Sequence, residues 1–247
     1  MSRACFIDIG NSRGKWWLCE DGELIASYVC WHKPSLEHVA SEFPPIFNGP
    51  VDFIGVSSVL DEAYNQKLAD LCWQRWQVLP AFARTAETCL GIKCGYDDPA
   101  LLGIDRWLNV LAVARREPVC VVSCGTALTI DVIMADRHVG GYILPGLSLQ
   151  LAALVQGTQR VRPHEVETPL LDFGKNTSEA VHHGILLSCV ASIEKVYQSV
   201  QKNSQSCVGL VLTGGDAGKI ARHLQVQHDI IPELLLLGLQ RYFGHSS

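Results

Sequence analysis

The sequence predicts an α/β protein of two related lobes, on three observations. Runs of strand-like segments are mixed with helix-like segments along the 247 residues. A run of strand, glycine turn, strand, polar turn and strand opens the chain and returns 115 positions later, setting Gly10 on Gly125, Asp8 on Ser123 and Asp21 on Asp136. Hydrophobic residues make up 48% of the chain against 18% charged, enough to give each half a core.

In order, "RACFIDIG", "GKWWLCE" and "GELIASYVC" read as a strand meander, because β-rich runs are separated by turn residues such as Asp21-Gly22. "SLEHVASEF" is helical. "DFIGVSSVL" is a buried strand, "EAYNQKLADLCWQRW" an amphipathic helix and "QVLPAFA" a short strand. A glycine-rich, proline-containing region runs from Gly91 to Gly103, and "IDRWLNVLAVARRE" is a helix that Pro118 stops. "VCVVSCGTALTIDVIMADRHVGGYIL" repeats the opening meander. "SLQLAALVQGT", "TSEAVHHGILLSCVASIEKVYQSV" and "IPELLLLGLQRYF" are helices, with the strand "CVGLVLTGG" before the last. The lobes are therefore residues 1–116 and 117–247, and a site is expected in a cleft between them.

Composition excludes several classes. The net charge is −5 and no basic stripe is visible, so nucleic acid is not an expected partner. Apolar stretches such as "GGYILPGLSLQLAALV" are interrupted before the roughly 20 residues that span a bilayer. The first residues are strand-like and lack a signal-peptide pattern. The 10 cysteines form no C-x-x-C pair and lie mostly in apolar runs, as Cys5, Cys120 and Cys189 do. Buried reduced thiols in a cytoplasmic protein are expected, not a zinc site.

"DIGNSRGK" poses the functional question. It is not a P-loop: Gly10 and Gly14 are one residue too close, Trp16 follows Lys15, and a strand follows in place of a helix. An ordinary hairpin turn would explain the Asn, Ser and Gly residues. It would not explain an acid before the turn and a lysine after it. Phosphate binding explains both. Gly10 and Gly14 let backbone N–H groups approach phosphate oxygens, Asn11 and Ser12 add donors, Lys15 adds a charge, and Asp8 can hold magnesium through water. "CGTALTID" supplies a second such turn at Gly125, Thr126 and Thr129. "LTGGDA" supplies a third at Gly214 and Gly215, where backbone can lie against a flat ring or simply turn from strand to helix. Three glycine turns in this order argue for a nucleotide site.

These motifs resemble the first phosphate, second phosphate and adenosine motifs of the acetate kinase, sugar kinase, Hsp70 and actin superfamily. "YDDPALLGIDRW", Tyr96 to Trp107, is similar to the Y-x-x-P-x-x-L-G-x-D-R segment of type III pantothenate kinases, the family that includes the Bvg accessory factor proteins. The similarity runs in order along nearly the whole chain. It implies two ribonuclease H-like, actin-like ATPase lobes with an inter-lobe cleft, and ATP-dependent phosphorylation of pantothenate, the first step towards coenzyme A.

Residue by residue, the resemblance makes Asp105 the general base, which suits a primary hydroxyl that must lose its proton. It places Arg106 on the pantothenate carboxylate or the phosphoryl group, with Gly103, Ile104 and Tyr96 around the same ligand. Thr126 matches an ATP contact. Thr177 matches a pantothenate contact that the family supplies from the neighbouring subunit of a homodimer. Read without the family, Asp105 and Thr177 are equally helix N-caps. His182 and His183 are adjacent and cannot share one helix face as metal ligands do. The implied cofactor is Mg²⁺ with ATP. A monovalent cation, K⁺ or NH₄⁺, is in question, because Ser123 stands where the family commonly has the aspartate that holds it. No metal-ligating residue is assigned. Another phosphotransferase of the superfamily, or a nucleotide-binding regulator without catalysis, is the competing reading. "GIDRW" opposes the first; Asp8, Lys15, Asp105 and Arg106 together oppose the second.

Overall fold

The computed structural model describes residues 2–31, 36, 43–113 and 118–245. It comprises two compact units, Met1–Val113 with Glu233–Ser247, and Ala114–Pro232. The helix expected over "SLEHVASEF" and the 116/117 boundary lie outside the described residues, apart from Leu36 and Phe43 in the helix.

The first unit holds β1 (Arg3–Ile9), β2 (Arg13–Glu20), β3 (Glu23–Trp31), β4 (Phe53–Ser58), α1 (Glu62–Trp76), β5 (Ala81–Phe82), the short hairpin β6 (Thr88–Cys89) and β7 (Ile92–Lys93), and α2 (Ile104–Val113). Its five-stranded sheet runs β3-β2-β1-β4-β5; the first three strands are antiparallel neighbours, and β4 and β5 join in parallel. Trp16 and Trp17 are adjacent and both buried, so β2 is covered on both faces. Trp16 meets Phe43 edge-on at 4.5 Å between ring centroids and packs with Ile7, Ile54, Leu68 and Trp76. Asp61 starts α1 by accepting a hydrogen bond from the Tyr64 N–H at 2.8 Å.

The second unit holds β8 (Val119–Cys124), β9 (Ala127–Met134), β10 (Arg137–Pro145), α3 (Leu147–Gly157), α4 (Thr177–Asn203), β11 (Gly209–Thr213), α5 (Ala217–Ala221) and β12 (Asp229–Ile230). Its strands run β10-β9-β8-β11-β12, again with three antiparallel neighbours followed by two parallel additions. Val122, Leu128, Ile130 and Leu212 pack there against Leu186, Cys189, Val190 and Ile193 of α4. The two units therefore repeat one five-strand order.

The repeat is closer than the sequence offset suggests and differs in one detail. Three residues separate β1 from β2, but only two separate β8 from β9. The offset of 115 thus holds for Asp8 with Ser123 and Gly10 with Gly125, then drops to 114. The left-handed residue of the next turn is Asp21 in the first unit and Ala135 in the second. Asp136 is the partner of Gly22, not of Asp21.

The last helix, α6 (Leu234–Phe243), was placed by its sequence position with the second half, yet it packs within the first unit. It lies against α2, β1 and β4. A Cβ on Gly238 would sit 2.2 Å from the Leu108 carbonyl oxygen, so only glycine allows the helices this close. Gln240 donates to the Gly22 carbonyl at 2.7 Å, and Arg241 donates to that of Leu111 at 3.0 Å. The apolar leucines announce a buried face, but a one-helix pattern does not say what covers it.

Candidate active site

β1 and its two neighbours set one polar row in the first unit. Asp8 on β1 is the register partner of Lys15 on β2 and of Ser57 on β4. In-register residues of paired strands share a face. Ser57, fully buried, donates its hydroxyl to Asp8 Oδ1 at 3.0 Å. Burial pushes the Asp8 carboxyl up to about 7, the Ser57 hydrogen bond opposes that, the Asp105 charge adds to it and Lys15 counters it. Asp8 and Lys15 thus stand one rung inside the hairpin, not at its surface tip. The Lys15 ammonium lies over the Trp17 ring at 5.8 Å. Gly10 closes the turn by donating to the Arg13 carbonyl at 3.0 Å; Asn11 is exposed and Ser12 half-buried beside it.

α2 carries a second acid, Asp105, whose charge reaches Asp8. The Trp107 N–H bonds to the Gly103 carbonyl at 3.0 Å, so the helix begins with Ile104, and Asp105 is its second residue. The capping reading of Asp105 fails for that reason: the capping position belongs to Gly103. Asp105 Oδ1 folds back to within 2.7 Å of where a Gly103 Cβ would be. Ile104 is buried. Arg106 is 4% exposed, unusual for an arginine, and its Nη1 donates to the Tyr96 hydroxyl at 2.7 Å with the guanidinium 5.6 Å from the ring centroid. Tyr96, Gly103, Ile104, Asp105 and Arg106 are thus gathered around one helix start. Thr85, which the sequence did not single out, holds the approach by donating to the Leu102 carbonyl at 2.9 Å.

The second unit gathers two glycine turns that lie far apart in sequence. Gly125 donates to the Ala127 carbonyl at 3.0 Å, and Thr126 is exposed at the turn. Gly214 has φ +96°, and a Cβ there would lie 2.3 Å from the Cys124 carbonyl oxygen, which also accepts from the Asp216 N–H at 3.1 Å. The Gly214-Gly215 turn therefore rests on the backbone residue preceding Gly125. Ser123 is in register with Thr129 on one side and Thr213 on the other.

Thr177 is exposed and is the first residue of α4; the cap is Asn176, whose Oδ1 accepts from the Glu179 N–H at 3.0 Å. Glu179 answers by accepting from the Lys175 N–H at 2.8 Å. The capping role is taken, so Thr177 is left to other contacts. His183 bonds to the Asp172 carbonyl at 2.9 Å and His182 to that of His164 at 3.1 Å, neither in a metal cluster. Among the described residues no group of three or more His, Cys, Asp or Glu is placed to hold a metal. Asp8 and Asp105, whose charges act on each other, do offer the one or two carboxylates with which Mg²⁺ is held when substrate phosphates supply the rest. All ten cysteines are thiols outside any disulfide; burial pushes those of Cys72, Cys120 and Cys124 up to about 12, which keeps them inert.

The sequence profile of type III pantothenate kinases matches residues 5–199. The chain belongs to the type III pantothenate kinase family. A type III pantothenate kinase of Acinetobacter baylyi is 42% identical over 244 residues, covering 98% of both chains. One of Chromohalobacter salexigens is 35% identical, over 96% of this chain and 86% of that one. Among solved structures, a Baf family protein of Campylobacter jejuni described as a transcriptional activator superposes with a TM-score of 0.63 at 20% identity, over 97% of both chains. An activator of 2-hydroxyisocaproyl-CoA dehydratase from Clostridium difficile, with bound ADPNP, reaches 0.50 at 12% identity over 98% and 95%. These structures show the fold alone: this pantothenate kinase family member shares with them an α/β fold of two mixed sheets with helices.

Proposed function

We propose that the chain transfers the γ-phosphoryl group of ATP to pantothenate, giving 4′-phosphopantothenate, the first step towards coenzyme A. The observation that carries this reading is Asp105: in a chain of this family, it stands in the first turn of α2 without serving as the cap, with its charge acting on Asp8. Asp105 takes the proton of the pantothenate primary hydroxyl as its oxygen bonds to the γ-phosphorus and the bond to the departing ADP breaks. Arg106, its fork held by Tyr96, pairs with the pantothenate carboxylate, and Gly103 and Ile104 offer backbone to the same ligand. Asp8, Gly10, Asn11, Ser12 and Lys15 serve the ATP phosphates from the first unit, Gly125 and Thr126 from the second, and Gly214 and Gly215 serve the adenosine. Mg²⁺ bound with ATP would spread the phosphate charge, with Asp8 holding it through water.

A homodimer, with Thr177 reaching the neighbouring subunit's pantothenate, belongs to the same proposal. It is supported by apolar surface on the second unit: α3 has no fully buried residue, and Leu149, Leu154, Leu187 and Phe173 are exposed. The cytoplasm is the proposed location; among the described residues no helix is long and apolar enough to cross a membrane. A nucleotide-binding regulator without catalysis is the second reading, favoured by the neutral Ser123. Measuring ADP release from ATP with and without pantothenate separates them. Release that depends on pantothenate is expected; nucleotide binding with no pantothenate-dependent release would overturn the kinase.

A further inference from the structure

Ser57 and Ser58 end β4 side by side, and strand geometry sends their side chains to opposite faces. Ser58 turns to α1, donating to Asn65 Oδ1 at 2.6 Å and accepting from the Leu60 N–H at 3.3 Å. Ser57 turns the other way, to the carboxylate of Asp8 on the neighbouring strand. Its hydroxyl is fully buried, so no bulk water competes for it. An aspartate on a strand has a broad, soft χ2 torsion, and a carboxylate with neither oxygen engaged samples many orientations. One buried donor on Oδ1 removes that freedom and leaves Oδ2 and the second Oδ1 lone pair for other partners.

We infer that Ser57 is a positioning residue of the phosphate site, fixing the Asp8 carboxylate in the orientation in which it serves magnesium-bound nucleotide. The inference rests on the reading of Asp8 given above. In this role Ser57 acts through its hydrogen bond to Asp8. Lys15, on the other side of Asp8, supplies charge, and Ser57 supplies direction. The second unit has Thr213 at the corresponding place beside Ser123, and there the hydroxyl is spent on the Pro232 carbonyl at 3.3 Å. A hydroxyl at this place on the parallel neighbour strand is therefore not bound to serve the central strand; in the first unit it does so where a carboxylate is present.

The test is calorimetric titration of ADP in magnesium and in EDTA, without pantothenate, on wild type, Ser57→Ala, Asp8→Asn, the double variant and Ser58→Ala, each checked for folding by thermal melting. The readout is the ratio of affinities with and without magnesium. Ser57→Ala is expected to lower that ratio about tenfold, equivalent to about 1.4 kcal/mol, and to leave the EDTA affinity unchanged. Asp8→Asn should lower the ratio further, adding Ser57→Ala to it should change nothing, and Ser58→Ala should keep the wild-type ratio. An unchanged ratio in Asp8→Asn would overturn the reading of Asp8 itself. A collapsed ratio in Asp8→Asn with a wild-type ratio in Ser57→Ala would overturn the role of Ser57 alone. So would a Ser57→Ala loss that is equal in EDTA, or one that adds to Asp8→Asn, since a packing defect would behave that way. If Ser57→Ala fails to fold, Ser57→Cys fills the same space with a weak donor and is expected to fall between wild type and Asp8→Asn; a wild-type ratio there would count against the role.

Discussion

The same three strand positions carry two charges in one unit and none in the other. Across β2, β1 and β4 the row reads Lys15, Asp8, Ser57; across β9, β8 and β11 it reads Thr129, Ser123, Thr213. The strand order, the pairing directions and the glycine after the central strand are shared. What differs is the electrostatics: one row carries a carboxylate, an ammonium and a nearby second acid, and the other carries three hydroxyls. A duplicated scaffold can thus keep its geometry while its polar rows diverge, one carrying charge and the other hydroxyls alone.

The comparison can be broken most forcefully at the second acid of the charged unit. Asp105→Asn keeps shape and loses the proton acceptor, so turnover should fall about 10²–10⁴-fold while pantothenate binding, measured by calorimetry, is largely kept. Near wild-type turnover would mean that Asp105 is not the base. Next in size is making the first row resemble the second. Asp8→Ser should lower kcat/KM for magnesium–ATP about 10–100-fold, the usual range when a group that orders a metal's surroundings is lost. A wild-type value would mean that the charge in the row is incidental.

The reverse exchange is expected to do less. Wild type should work in buffers free of K⁺ and NH₄⁺, because Ser123 brings no formal charge to its site. Ser123→Asp should then gain a severalfold stimulation by KCl over matched NaCl. Strong saturable K⁺ activation of the wild type would show that the neutral row binds a cation through other oxygens.

The smallest effect concerns stability. With its carboxyl raised from 3.8 to about 7, folded Asp8 holds a proton that the unfolded chain has already lost between those values. Folding is therefore penalised increasingly as pH rises from about 4 to about 7, and the full penalty is present above that. Asp8→Asn, free of it, should melt a few degrees higher than wild type at pH 8 in the absence of magnesium, with the difference vanishing below about pH 4. An equal or lower melting point at pH 8 would mean that Asp8 bears no strain from its surroundings.

Much of this was legible in the sequence because the strands announce themselves. "RACFIDI" and "VCVVSC" are apolar runs ended by glycine, and the helix over "EAYNQKLADLCWQRW" falls on Glu62–Trp76 as expected. The two-residue strand β12 and the five-residue α5 are too short for periodicity to mark. The candidate residues were legible as residue types near glycines, not as neighbours. That Gly214 rests on Cys124, or that Arg106 is clasped by Tyr96, follows from pairing and packing that no local pattern encodes. Ser57 was missed although it left a trace: two serines inside "GVSSV", an otherwise apolar strand, already implied that a buried hydroxyl needed a partner. Only the β1–β4 register says that the partner is Asp8. The shorter second turn escaped for the same reason, since a fixed offset cannot see a one-residue deletion.

The return of α6 to the first unit has a consequence for how the protein is made. A ribosome synthesises the chain from one end, at about 5–20 residues per second. Every strand of the first unit emerges early, yet the helix that covers α2, β1 and β4 is synthesised only after the entire second unit. For several seconds at least, on that scale, the nascent first unit displays the apolar floor that Leu234, Leu236 and Leu239 will later close. The second unit, continuous in sequence, has no such wait. Birth order and folding order are thereby inverted: the part begun first is the part finished last, and a chain cut short before Glu233 has a complete second unit and an open first.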